Sequence, residues 1–133
     1  MFKEYAYPTF VEDKRQGVLR VFEFSQIPFS VKRVFSVDGA YAGSIRGRHA
    51  HRVCNQLISC VRGKVKLVCD DGVGKIEIEL TPSSQAVLVP AGVWAEQEYL
   101  MNGSVIIVFC DQPYDEGDYL RDYEEFLTWK GIN

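Results

Sequence analysis

The sequence predicts an all-β domain, a small antiparallel barrel or sandwich, with one helix packed on it at the C-terminus. Three observations carry this. Short segments rich in Val, Ile, Leu and Phe are separated by Gly, Pro and Asp along most of the chain. In "KIEIEL" (75–80), Ile76, Ile78 and Leu80 alternate with Glu77 and Glu79, the period of a half-buried strand. Helical spacing is confined to "DYLRDYEEFLTWK" (118–130), where Leu120, Tyr123, Phe126, Leu127 and Lys130 recur three and four residues apart.

Taken in order, "VLRVFEF" (18–24) and "VKRVFSV" (31–37) are strands flanking "SQIPFS". "NQLISCV" (55–61) meets "KVKLVCD" (64–70) through a tight turn at Arg62-Gly63, and "DDGVG" (70–74) is a second turn leading into 75–80. "QAVLVP" (85–90) and "SVIIVFC" (104–110) are dense in β-branched residues, which predicts strands central in a sheet or buried on both faces. Asp118 is the expected N-cap of the terminal helix, whose first turns are crowded with acids.

A chain of 133 residues with no linker, repeat or low-complexity tract is read as a single domain, 1–133. At 47% hydrophobic and 13% aromatic it is globular rather than disordered. Its net charge of −3 argues against nucleic acid or an anionic membrane as partner, while a few arginines inside a pocket are enough for a small anionic ligand. No apolar run approaches the ~20 residues that span a bilayer, and "MFKEYAYPTF" lacks the apolar core of a signal peptide. Cys54, Cys60, Cys69 and Cys110 lie in apolar, strand-like stretches without C-x-x-C pairing. They are expected to be reduced, structural thiols in a cytoplasmic protein.

Both histidines fall in "GSIRGRHAHRVCNQ" (43–56). On an extended strand His49 and His51 project from one face, where they can hold a metal, move protons or merely be hydrogen-bonded inside the barrel. The spacing Gly43, five residues, His49, one residue, His51, four residues, Gln56, six residues, Gly63 resembles the first motif of the cupin superfamily, with Gln where that pattern has Glu. "SQAVLVPAGVWA" (84–95) resembles the second motif: Pro90 and Gly92 match, Ser84 stands for a Gly, and Ala95 stands where a histidine would be. The resemblance implies a jelly-roll barrel over about 5–112 followed by a helix over about 118–130. Metal-binding cupins use three histidines and a carboxylate. With Gln56 and Ala95 at two of those positions, the ligand set is poor and no metal or other cofactor is expected. Acid–base chemistry is then favoured, because imidazole titrates near neutrality and can both take and return a proton.

The match extends further. "IPFSVKRVF", "RGRHAHRVCNQ", "VRGKVKLVCDDG", "VPAGVWAE" and "YDEGDYLRDYEEF" together resemble the dTDP-sugar 3,4-ketoisomerases of bacterial deoxysugar biosynthesis, over about residues 5–129. That resemblance implies an isomerase that moves the keto group of dTDP-4-keto-6-deoxyglucose from C4 to C3 without a metal, on a route to 3-amino-3,6-dideoxyhexoses of surface glycans such as lipopolysaccharide. His51 is assigned as the base at C3 and His49 as its partner on the oxygen side. Arg46 and then Arg33 are the candidates for the diphosphate, Trp94 and Tyr119 for the thymine, and Gln56 lies with them. Arg48 and Arg52 are expected to be solvated surface charges. The family tends to carry a tyrosine where this chain reads Phe35-Ser36-Val37, so Tyr41 or a water is left to supply that hydroxyl. A homodimer is expected, with the N-terminal strands suited to exchange between subunits. The rival readings are a dTDP-sugar epimerase, a non-catalytic sugar-nucleotide-binding cupin, and a metal-dependent dioxygenase, the last opposed by Gln56 and Ala95.

Overall fold

The computed structural model describes the backbone of residues 3–5 and 9–13 and all of residues 17–132. Residues 1–2, 6–8, 14–16 and 133, which the single-domain reading includes, lie outside the described residues. In chain order the strands are β1 (Lys3–Tyr5), β2 (Thr9–Asp13), β3 (Gly17–Val21), β4 (Arg33–Ala40), β5 (Ile45–His51) and β6 (Gln56–Arg62). There follow β7 (Val65–Asp70), β8 (Lys75–Leu80), β9 (Ala86–Val89), β10 (Trp94–Tyr99), β11 (Ser104–Cys110) and the two-residue β12 (Tyr119–Leu120), then helix α1 (Tyr123–Lys130).

Pairing is antiparallel and forms two five-stranded sheets, ordered β1-β9-β6-β11-β4 and β12-β5-β10-β7-β8, with β2 and β3 as a separate ribbon. This is the all-β barrel with a C-terminal helix that the sequence predicts. The runs expected to be central are central: β9 and β11 both flank β6. β6 is buried from Gln56 to Cys60 because it has a core on each side. Ile58 and Cys60 face the barrel interior with Leu67, Val87 and Ile106, whereas Leu57 and Phe109 face outward under Ile27 and the 22–31 segment. In β8 the predicted alternation is graded, from Ile76 exposed at the open end to Leu80 fully buried. The Arg62-Gly63 turn demands glycine, since a Cβ at Gly63 would sit 2.3 Å from the Ser104 hydroxyl.

The helix begins later than its periodicity predicts, and Asp118 is not its cap. Asp122 caps it, accepting from the Glu125 N–H at 3.0 Å, and Gly131 closes it in the left-handed region. Residues 116–118 form a 3-10 turn, and Tyr119 and Leu120 extend a sheet by pairing with His51 and Ala50. Leu120 fits the helical spacing because it is buried in the same cluster as Phe126, Trp94 and Ala50, although it belongs to a strand. Among the described residues no helix is long and apolar enough to cross a membrane.

Candidate active site

β5 is bulged just before the histidines. Gly47 (φ 85°) and Arg48 (φ 56°) both lie in the left-handed region, and the register with β10 slips there, so that Ala95 pairs with His49 and Glu96 with Gly47. Plain alternation would put Arg46 on the face opposite His49. With Arg48 looped out, Arg46 and His49 line the same cavity. Glycine at 47 is required twice over, because its φ is positive and a Cβ would lie 2.9 Å from the Ala95 carbonyl oxygen. Gly47→Ala is expected to cost about 1–3 kcal/mol. Thermal unfolding followed by circular dichroism should then show Tm lower by roughly 3–10 °C.

The cavity, about 240 Å³, opens between the sheets. Phe35, Val37, Ile58, Ile106 and Val108 give it an apolar side, and Arg46, His49, Gln56, Gln97, Tyr119 and Arg121 a polar one. The His49 Nδ1 lies 3.0 Å from the Gly47 carbonyl oxygen, which can only accept, so Nδ1 carries the proton and Nε2 the lone pair. His51 is held in the same tautomer by a carboxylate, with Nδ1 2.8 Å from the Asp118 Oδ2. The two imidazole rings meet edge to face at 4.9 Å, and the Tyr119 ring lies 4.9 Å from His49 and 4.4 Å from His51. His51 is only 5% exposed and packs against the His49 and Tyr119 rings that line the cavity, its Nε2 buried and without a hydrogen-bond partner among the described residues.

Electrostatics distinguishes the two histidines. Burial drives the His49 imidazole down to about 4, helped by the nearby His51 and Arg121 and opposed by the Gly47 carbonyl and, more weakly, by the Glu116 charge. Burial also lowers His51 below its ordinary 6.5, but there the Asp118 carboxylate pulls strongly the other way. Asp118 is itself kept ionised against the effect of burial by the His51 N–H, the Val53 N–H at 2.6 Å and the Cys54 N–H at 3.3 Å. Arg52 fixes this turn from behind, donating to the carbonyls of Gly117 and Tyr119 at 2.7 and 3.0 Å. It is therefore a structural tie rather than the solvated charge expected, while Arg48 is exposed as expected.

Arg33 lies beside the cavity, with its guanidinium 5.7 Å from the Phe35 ring centre and 5.6 Å from that of Tyr114. Its Nη2 donates to the Cys110 sulfur at 3.6 Å, as does the Gln56 Nε2, also at 3.6 Å. The neighbouring Cys54 thiol, the Arg33 charge and these two donors draw the Cys110 thiol below its ordinary range, although burial opposes it. Cys110 is thus not merely the small hydrophobe that its strand suggests, whereas Cys69, pushed up to about 12 by burial alone, is.

His49, His51, Arg33, Arg46, Gln56 and Tyr119 are brought together. Trp94 and Tyr41 are not among them. Side chains alternate along β10, so with Ala95 and Gln97 turned inward Trp94 must face the helix. There it donates to Glu96 at 2.9 Å and packs edge-on to Tyr123. Tyr41 follows the end of β4 and is 78% exposed. Sequence reasoning missed Asp118, Gln97, Cys110 and Arg121. Arg121 is stacked 4.3 Å over the Tyr119 ring at the cavity edge.

The residues do not fit a cupin metal. Ala95, opposite His49, has no donor atom, and the Gln56 amide is turned to the Cys110 sulfur. His51, Cys54 and Asp118 do offer ligand atoms within 4.8 Å of one another. However, the His51 Nδ1 and the Asp118 carboxylate are already spent on each other, and the Cys54 thiol, donating to the Asn55 carbonyl at 3.5 Å, is held protonated by the neighbouring Cys110 and by burial.

Residues 5–131 match the family described as FdtA: WxcM-like, C-terminal. The chain is 33% identical over 117 residues to the TDP-4-oxo-6-deoxy-α-D-glucose-3,4-oxoisomerase of Aneurinibacillus thermoaerophilus, covering 88% of this chain and 84% of that protein. A 3,4-ketoisomerase from Helicobacter canadensis superposes with a TM-score of 0.87 at 27% identity, covering 98% of this chain and 97% of the other. A histidine-to-asparagine variant of the 3,4-ketoisomerase from Thermoanaerobacterium thermosaccharolyticum, solved in complex with TDP-4-keto-6-deoxyglucose, gives 0.85 at 27% identity over 98% of this chain and 92% of that one. With a family match over almost its full length and a curated relative above 30% identity, the chain belongs to the sugar 3,4-ketoisomerases, isomerases built on the cupin barrel.

Proposed function

We propose that the protein converts dTDP-4-keto-6-deoxy-D-glucose to a dTDP-3-keto-6-deoxyhexose by acid–base catalysis with its two histidines and without a metal. The observation that carries this is the His51–Asp118 pair set against His49. One imidazole has a bare Nε2 and a carboxylate behind it to stabilise its protonated form, and a second, neutral imidazole stands 4.9 Å away. His51 removes the proton from C3, giving an enediolate across C3 and C4. A proton is then delivered to C4, while the O3 proton is transferred to O4 through His49. The C3–O bond becomes the carbonyl, the C4–O bond becomes the hydroxyl, and no external oxidant or reductant is consumed. Gln56 lines the cavity, and the second N–H of its amide, beyond the one given to Cys110, steadies the oxyanion, while Arg46 with Arg33 meets the diphosphate. His51 is buried and packs against His49 and Tyr119, both of which line the cavity, so substrate reaches its Nε2 once one of those rings shifts.

The protein acts as a homodimer in the cytoplasm. Among the described residues β4 is the last strand of its sheet, and it carries exposed Val34 and Phe35, an edge suited to a second copy. All four cysteines are free and buried, in keeping with a reducing compartment. The pathway is the one that installs a 3-amino group, since a 3-keto sugar is what a transaminase needs.

A proton NMR time course with dTDP-4-keto-6-deoxyglucose in D2O containing EDTA tests the reaction. Loss of the C3 proton and growth of a 3-keto sugar deuterated at C4 is the expected result. Unchanged substrate would point to a binding protein, and exchange at C5 to an epimerase.

A further inference from the structure

Arg121 stands at the cavity edge, yet its guanidinium is already occupied. Its Nε and Nη2 donate to the two oxygens of Glu116 at 2.7 and 2.9 Å, and the Tyr114 hydroxyl donates to the Glu116 Oε2 at 2.6 Å. This is the forked geometry in which a guanidinium holds a phosphate. Both partners are about half exposed, so the pair is weak enough to exchange for a competing anion. The guanidinium would not swing free on losing Glu116, because the Tyr119 ring supports it at 4.3 Å. Arg33, 5.6 Å from the Tyr114 ring centre, adds a cation with a buried Nε that has no hydrogen-bond partner among the described residues.

We infer that Glu116 is an internal stand-in for a substrate phosphate: Arg121 releases it in favour of a phosphate oxygen of the bound nucleoside diphosphate. The inference rests on the proposed function and deepens it. A tethered carboxylate is always present at high local concentration, so only an anion that outcompetes it gains Arg121. The diphosphate carries more charge and more acceptor oxygens and wins, while monoanions of the cell are turned away. Affinity for the empty nucleotide is held down at the same time, which favours release of product.

The test is calorimetric titration with dTDP. Glu116→Gln is expected to tighten dTDP binding by about 2–5-fold, the share of Arg121 that Glu116 had sequestered. Tyr114→Phe, which loosens Glu116 without removing it, is expected to shift affinity in the same direction by less. In an Arg121→Gln background the Glu116→Gln gain must vanish. Unchanged or weaker dTDP binding by Glu116→Gln, or an equal gain without Arg121, overturns the inference while leaving the function standing. Failure of the unmodified protein to bind dTDP at all overturns the function, and this inference with it.

Discussion

His51→Asn is expected to lower kcat for ketoisomerisation by about 10³–10⁴-fold with KM changed little, the size of effect that loss of a well-placed general base produces. His51 is chosen over His49 for basicity. A base must be free at neutral pH yet willing to hold the proton it takes, and a carboxylate 2.8 Å behind the ring provides that only for His51. His49, driven down to about 4, is a poor store for a proton but a serviceable relay between two oxygens. Deuterium exchange separates the roles. In D2O, His51→Asn should abolish exchange at C3, whereas His49→Asn should slow product formation while some exchange at C3 survives. Persistent C3 exchange in His51→Asn would reverse the assignment. The pH profile follows with a definite sign. Because His51 titrates below 6.5, kcat/KM should stay level through neutrality and fall only on further acidification. Fold stability has the same sign. Unfolded histidine binds its proton near 6.5 and folded His49 only near 4, so His49's contribution is complete above 6.5 and is lost as pH falls toward 4.

The parts of the site that lie on regular strands were legible, and the parts created by irregular backbone or by long-range packing were not. His49 and His51 share a face because a strand repeats every two residues, which spacing alone reveals. Arg46 reaches the same cavity through a one-residue bulge, of which the only trace is Gly47 in "RGRH". Trp94 could have been placed correctly: once Ala95 is aligned inward, its neighbour must point away. The 114–122 segment was masked by its surroundings. Leu120 packs into the helix's own cluster and so completes a helical period, which turned Asp118 into a supposed cap. Gly117, inside a box otherwise read as leading into a helix, was the available warning. Cys110 could not have been singled out, since its sequence neighbours are apolar. What distinguishes it is the arrival of Arg33 from β4 and Gln56 from β6 on one sulfur.

Asp118→Asn is expected to reduce kcat by about 10²–10³-fold while leaving the fold and KM nearly unchanged. The carboxylate does two separable things. Its Oδ1 accepts the Val53 N–H at 2.6 Å, which orders the turn after β5, and an asparagine carbonyl can do that equally well. Its Oδ2 accepts from the His51 Nδ1, which fixes the proton there and leaves Nε2 as the bare nitrogen. With its carbonyl kept by Val53, asparagine turns an amide N–H toward that ring nitrogen. The favoured tautomer then moves its proton to Nε2, and the base is lost although the imidazole stays in place. What remains has also lost the counter-charge for the imidazolium formed during turnover, so the acid limb of kcat should move to lower pH, because Asp118 is what opposes the burial of His51. Unfolding temperature and dTDP affinity serve as controls for a purely structural effect. A variant with normal kcat and an unshifted acid limb would mean that Asp118 only shapes the turn, and would return the choice of base to His49.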